Sequence, residues 1–228
     1  MSIEHPLLRD AGVRHGFGLR DEAPPPDVLR PKQVHGARVV EAPDGAGREA
    51  DVIVARAPFA GRVGVVTADC VPVLLAGAGA DALAGAGADA VAAIHAGWRG
   101  LAAGVLEAGV EALRCAAGDA PLVAVAGPHI GPCCYEVDAP VTEPLRERFG
   151  PALDAALRAS RPGHWRLDLG RLARQALHRA GLEPAGIGFL AGACTACDPR
   201  RFHSHRRDGP RAGRLLHWIG PGALGRSS

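Results

Sequence analysis

Residues 62–100 read RVGVVTADCVPVLLAGAGADALAGAGADAVAAIHAGWRG, and the two ends of that stretch decide the fold. Val63, Val65 and Val66 at one end, and Val91, Ala93 and Ile94 at the other, form small or β-branched apolar runs. Runs of this kind, closed by glycine or polar punctuation, read as buried strands. Each delivers one soft, reactive side chain, Cys70 or His95, where the strand gives out. Polar groups just past buried strands are where a rigid scaffold presents chemistry. The glycine-flanked turn Ala96-Gly97-Trp98-Arg99-Gly100 then leads into a helical stretch. This is the expected active centre.

Upstream of it, residues 12–20 read as a short strand and residues 23–27, with three consecutive prolines, as a stiff loop. Residues 33–40 predict a strand with a glycine break beside His35, and residues 50–55 a third strand. Downstream, residues 101–117 carry Leu101, Val105, Ala108 and Ala112 on one helical stripe, with Gly118 placed to end the helix. Residues 122–126 form another apolar run, entering a Gly- and Pro-rich loop of fixed shape over 127–137. Residues 139–159 read as helical in two pieces split at Gly150-Pro151. Asp168 is placed to cap a helix whose Leu169, Leu172, Ala173, Ala176, Leu177 and Ala180 recur at helical spacing, and Gly181 closes it. Strands at 187–193 and 215–219 complete the pattern. Between Leu75 and Val91 a near-duplication of AGAGADA predicts a low-complexity hairpin tip or helix-like insertion with no chemistry of its own. Strands in early and late groups with helices between them predict an α+β or layered α/β fold. No linker separates the parts, so residues 1–228 are expected to form a single domain.

Bulk composition narrows the function. The 228 residues are 47% hydrophobic and 22% charged, with a net charge of +2, so no concentrated basic face for nucleic acid is expected. MSIEHPLLRD lacks a basic segment followed by an apolar one, which argues against a secretory leader. No run approaches the ~18 apolar residues of a membrane span. A cytoplasmic protein is expected, and its six cysteines are then thiols or metal ligands rather than disulfides.

Several chemistries compete for these residues. His35, Cys70 and His95 offer two imidazoles and a thiolate, leaving a fourth position for water as in catalytic zinc sites, where the metal lowers the water pKa towards ~7. The same residues suit a nucleophilic Cys70 with His95 as base and Asp69 or another carboxylate as orienter. A second histidine at a comparable position favours the metal. Cys194-Thr195-Ala196-Cys197 reads as half of a zinc knuckle completed by Cys133 and Cys134, as a redox pair, or as inert buried thiols, with the last favoured. His203-Ser204-His205 resembles a copper ligand pair, but ten histidines with one such pair are too few for a multicopper oxidase. Arg99, Arg206, Arg207 and Arg214 are the natural anion contacts.

Taken together, KQVHG, TADCVPVLL, AAIHAGWRG, GPHIGPCCYEV and CT…FHSHRRDG…GR stand in one order along the chain. That ordered set resembles the laccase-domain family, purine nucleoside phosphorylases formerly described as multicopper polyphenol oxidases, from about Gly12 to Ile219. The resemblance implies a layered α/β/β/α fold in which two mixed β-sheets pack together with helices outside. It implies zinc at His35, Cys70 and His95 as the catalytic metal site. It further implies phosphorolysis of inosine, adenosine, guanosine and methylthioadenosine, with possible adenosine deaminase activity. Arg99 or Arg206 is then expected to bind phosphate. Three features depart from the family pattern: the AGAGADA repeat lengthens the interval from ADC to HAGW, His203 and His205 replace aromatics, and His129 replaces a small residue. The extra histidines offer a place for additional, weaker metal. A copper-dependent polyphenol oxidase, a cysteine hydrolase and a non-catalytic zinc-binding factor are the rival readings.

Overall fold

A computed structural model describes residues 2–59, 61–77, 88 and 90–221. The AGAGADA repeat lies almost wholly outside them. In chain order the elements are α1 (Pro6–Asp10), β1 (Arg14–Phe17), β2 (Val28–Leu29), β3 (Val39–Glu41), β4 (Val52–Arg56), β5 (Arg62–Thr67), β6 (Val71–Gly77) and β7 (Ala90–Ala96). There follow α2 (Trp98–Ala102), α3 (Val105–Ala117), β8 (Leu122–Ala126), β9 (Glu136–Val137), α4 (Ala139–Phe149), β10 (Leu157–Ala159) and β11 (Trp165–Leu167). The last elements are α5 (Leu169–Arg179), β12 (Ile187–Phe189), α6 (His205–Asp208) and β13 (Leu215–Gly220).

Two mixed sheets dominate. The larger has six strands in the order β12-β8-β6-β7-β4-β3 and the smaller four in the order β1-β13-β5-β2. Alternation along the strands explains why they stack. Val52, Val54, Val73, Leu75, Ala92 and Ile94 face one core, which they share with helices α2 to α5. The intervening Ile53, Leu74, Ala76, Val91 and Ala93 face the other, with Val63, Val65 and Ile219 of the smaller sheet. A period of two sends successive side chains to opposite faces, so strands apolar at every position must be covered on both. The helices cover the outer face of the six-stranded sheet and α1 packs against β1 and β8. The expected α+β architecture of two packed mixed sheets with helices outside is the one observed. A third, three-stranded sheet, β10-β11-β9, was not foreseen.

The smaller departures have physical causes. Of the strand expected over 33–40 only β3 forms, because the backbone N–H groups of Val34, His35 and Gly36 turn inward onto the Asp51 carboxylate. The helix expected over 101–117 breaks at Gly104, which holds φ at +81°, a conformation that only glycine enters without strain. Residues 157–159 leave the helical stretch to pair with Trp165–Leu167 as β10. Strand β12 ends at Phe189, and Gly192 at φ +65° turns the chain away. The Asp168 cap is as expected, its carboxylate accepting from the Arg171 N–H at 2.9 Å.

One corner positions everything that follows. β5 belongs to the smaller sheet and β6 to the larger, so Ala68-Asp69-Cys70 carries the chain from one layer to the other. Asp69 makes that corner at φ +93°, a costly value for a residue with a Cβ. It is held there on three sides: Thr195 Oγ1 donates to its Oδ1 at 2.6 Å, the Arg206 N–H donates to Oδ2 at 2.6 Å, and its carbonyl accepts from the Ile130 N–H at 3.0 Å. No helix among the described residues is long and apolar enough to cross a membrane.

Candidate metal centre

His35, Cys70 and His95 come from a loop, the inter-sheet corner and the end of β7, and their ligand atoms all lie within 4.8 Å of one another. His95 is buried, Cys70 half-buried and His35 exposed, so the group opens to solvent on one side. The two imidazoles meet edge to face, with centroids 4.7 Å apart. Gly97 lets them close up, since a Cβ there would stand 2.9 Å from Cys70 Sγ and 3.4 Å from His35 Cδ2.

Asp51, fully buried at the head of β4, organises both histidines. Nδ1 of His95 donates to its Oδ1 at 2.7 Å, which turns Nε2 towards Cys70 as the ring's ligand atom, free to coordinate once it gives up its proton. The same carboxylate accepts from the N–H groups of His35 at 2.9 Å and Gly36 at 2.7 Å, holding His35 at φ +61°. Burial would raise the Asp51 pKa, but the hydrogen bonds from His95 and Gly36 outweigh it and keep the carboxyl below its usual range. Sequence reasoning missed this residue. Its one signal, an aspartate opening the apolar run VIVA, belongs to no motif. Gln33 was also missed. Its side chain donates to the Val66 carbonyl at 2.8 Å and accepts from the Val66 N–H at 2.7 Å, docking the His35 loop on β5 as a strand partner would.

Electrostatics make Cys70 a thiolate. Burial alone would raise its pKa, but hydrogen bonds from His35 and His95 and their charge bring it down to about 6. Burial likewise opposes protonation of His95, yet Asp51 and Cys70 together raise it to about 9. Asp69 is not the orienter of His95. Its carboxylate is spent on Thr195 and Arg206, and Asp51 takes that part.

The group lies against a cavity of about 600 Å³, a size suited to a small-molecule ligand. Gln33, Trp98, Arg99, Tyr135, Arg206 and Arg214 are among its lining residues. Arg99 lies over the Trp98 ring at 4.3 Å. Arg206 lies over the Tyr135 ring at 5.0 Å and donates from Nη1 to the Glu136 carbonyl at 2.8 Å. Burial and the nearby Cys70 charge push the Tyr135 phenol up to about 12, so it stays protonated. Arg207 is not at the cavity. It donates to the carbonyls of Thr195 and Phe202 at 2.9 Å and pairs with Asp208, a loop-building role. His205 lines the cavity, whereas His203 packs beside Gly213. Neither belongs to a metal-binding group among the described residues. A broader cleft of about 800 Å³ runs along β3, lined by Arg38, Glu41 and Glu49, and none of His35, Cys70 and His95 lines it.

Residues 18–221 match the family model described as multi-copper polyphenol oxidoreductase laccase. A purine nucleoside phosphorylase of Xylella fastidiosa strain Temecula1 is 44% identical over 197 residues, covering 83% of this chain and 71% of that protein. The purine nucleoside phosphorylase YfiH of Escherichia coli K12 is 39% identical over 197 residues, covering 82% and 71%. Among solved structures, YlmD from Geobacillus stearothermophilus superposes with a TM-score of 0.80 at 27% identity, covering 96% of this chain and 94% of that one. A hypothetical protein YfiH of Bacillus licheniformis gives 0.77 at 27% identity, with 91% and 92% covered.

Proposed function

The chain belongs to the family described as multi-copper polyphenol oxidoreductase laccase, and from that premise we propose that it is a zinc-dependent purine nucleoside phosphorylase of the cytoplasm. Its substrates are inosine, adenosine, guanosine and methylthioadenosine, with adenosine deamination as a side reaction. One observation carries the reading: His35, Cys70 and His95 converge beside an arginine-lined cavity in a chain 44% identical to a protein named for that activity. One domain spans the chain, because single strands of the six-stranded sheet serve both cores.

The donor set fits zinc. Two imidazoles and a thiolate are borderline-soft ligands, and the open side leaves a coordination position. An ion held by His35, Cys70 and His95 would supply a Lewis acid at the cavity wall. The rest falls to the chain's own side chains. In phosphorolysis a phosphate oxygen bonds to the anomeric carbon as the glycosidic C–N bond breaks. The purine leaves with the bonding pair and takes up a proton, while positive charge develops on the ribose. Arg99 and Arg206 line the cavity and would hold phosphate through charge-assisted hydrogen bonds. Tyr135, protonated, donates a hydrogen bond to the nucleoside. His205 offers a flat ring where the family pattern has an aromatic. In deamination a water oxygen replaces the amine at C6 and ammonia leaves.

Two rivals share these residues. A two-histidine, one-cysteine set also suits blue copper. Oxidation of phenols by oxygen needs a further cluster of histidines, however, and among the described residues the other metal-binding group is made of cysteines alone. A nucleophilic Cys70 with His95 and Asp51 is geometrically sound, but it gives His35 only a share in lowering the thiol pKa, where the metal reading makes it a ligand. The deciding experiment is metal content together with inosine phosphorolysis for wild type and Cys70→Ala. Loss of one zinc equivalent and of phosphate-dependent hypoxanthine release supports the reading. Unchanged turnover in the variant overturns it, as does stoichiometric copper with blue absorption and phenol oxidation. No turnover of any nucleoside leaves a zinc-binding factor in its place.

A further inference from the structure

Four cysteines outside this centre meet in space. Cys133 and Cys134 lie in the loop between β8 and β9, and Cys194 and Cys197 in the loop after β12, at least 60 residues away. Their sulfurs all lie within 4.8 Å of one another. Cys133 Sγ is 3.5 Å from both Cys194 Sγ and Cys197 Sγ, and Cys134 Sγ is 3.3 Å from Cys197 Sγ. Four thiolates at the Zn–S distance of about 2.3 Å stand about 3.8 Å apart along the edges of a tetrahedron. The observed spacings are near that edge and well beyond a disulfide bond.

The surroundings are those of a built site. The Gly131 N–H donates to Cys194 Sγ at 3.2 Å, as backbone amides do to a metal-bound thiolate. Arg166 Nη1 donates to the Cys133 carbonyl at 3.3 Å, and Arg207 Nη1 to the carbonyls of Thr195 and Ala196 at 2.9 and 3.3 Å. Two guanidinium groups thus tie down the backbone of the loops that carry the four cysteines. A bridge pairs His129 with Cys194, bringing the two loops into register before the thiols meet.

We propose that Cys133, Cys134, Cys194 and Cys197 bind one zinc ion as a closed tetrathiolate, separate from the His35–Cys70–His95 group. Softness of the ligands selects zinc or iron over harder cations. Spacings this short fit a single ion, since an iron–sulfur cluster spreads its cysteines over separate irons. A redox dithiol needs two of these thiols; here Cys133 and Cys197 each contact two others. The ion acts as a staple. It joins the loop that carries Tyr135 to the loop that carries Thr195, whose hydroxyl fixes Asp69 beside Cys70. Structural zinc of this kind contributes directly to folding stability.

The test is zinc content of protein purified without added metal, for wild type, Cys70→Ala and Cys133→Ser/Cys197→Ser. The expected counts are about two, one and one equivalents, with a lowered thermal midpoint in the double variant. Failure of the proposed activity leaves these counts unchanged, so the two readings fail separately. Should the double variant not fold, thiol titration of the wild type decides. Exposed Cys115 is expected to react at once, and exposed Cys133 and Cys197 only after a strong chelator removes the second zinc. One zinc in wild type and none in Cys70→Ala overturns the proposal. So does a disulfide among the four cysteines, or reaction of Cys133 and Cys197 as fast as Cys115.

Discussion

The carboxylate of Asp51 binds the ring of His95 through Oδ1 at 2.7 Å while accepting the backbone N–H of His35 at 2.9 Å. One buried charge therefore sets the tautomer of one histidine and the backbone conformation of the other. Asp51→Asn keeps the shape and removes the charge. Outer partners of this kind are worth 10- to 100-fold in metal affinity. Zinc affinity measured against a competing chelator is expected to fall by about that factor. Stability should fall too, by about 1–3 kcal/mol, as buried donors lose their acceptor. Unchanged zinc affinity would remove Asp51 from the site.

The Arg99 guanidinium stacks on the Trp98 ring at the cavity wall. Arg99→Ala is expected to raise KM for phosphate roughly 10- to 100-fold, the worth of a charge-assisted hydrogen bond, with zinc retained. Arg206→Ala should do the same and also lower stability, because Arg206 ties the Glu136 carbonyl. A phosphate KM unmoved in both variants refutes the assignment.

Gly97 has φ −78° and ψ 173°, a backbone that alanine accepts. Gly97→Ala therefore tests space alone: its methyl meets Cys70 Sγ at 2.9 Å. Zinc affinity and turnover should drop together, with the unfolding midpoint nearly unchanged. Full activity at full zinc occupancy would show that the group tolerates a wider spacing.

Burial holds His217 down to about 3 and lowers His15 and His129 as well. An unfolded histidine binds its proton near pH 6.5, whereas buried His217 resists it. The unfolded state thus binds more protons between pH 6.5 and about 3. Stability from His217 is complete above 6.5 and is lost as pH falls through that window, by up to about 1.4 kcal/mol per pH unit. Urea unfolding at pH 7.5, 6 and 5 should show this slope, and His217→Gln should flatten it. An equal slope in the variant assigns the acid sensitivity elsewhere.

The centre of the chain was legible because apolar runs end abruptly at Cys70 and His95. The α5 helix was legible because capping and periodicity agree at Asp168. Asp51 was not, since one aspartate beside a strand has no period and no motif. The meeting of Cys133 and Cys134 with Cys194 and Cys197 stands in the sequence only as a less favoured alternative to inert buried thiols; in the structure Cys133 and Cys197 are exposed and all four cluster. Only tertiary structure brings residues that far apart in sequence together. Strands of two or three residues, such as β2, β9 and β10, are too short to carry a pattern. Arginine composition could not tell Arg99 at the cavity from Arg207 in its loop.

The β6–β7 hairpin has unequal ends. Cys70 and His95 stand at one, and Gly77 and Ala90 at the other, seven residues and roughly 20 Å of strand away. The AGAGADA repeat joins those distant tips. Added length there enters the chain at the end of the hairpin away from Cys70 and His95. The same tip is the natural splice point for an affinity tag or a reporter, whereas one residue added at the other end would part the ligands.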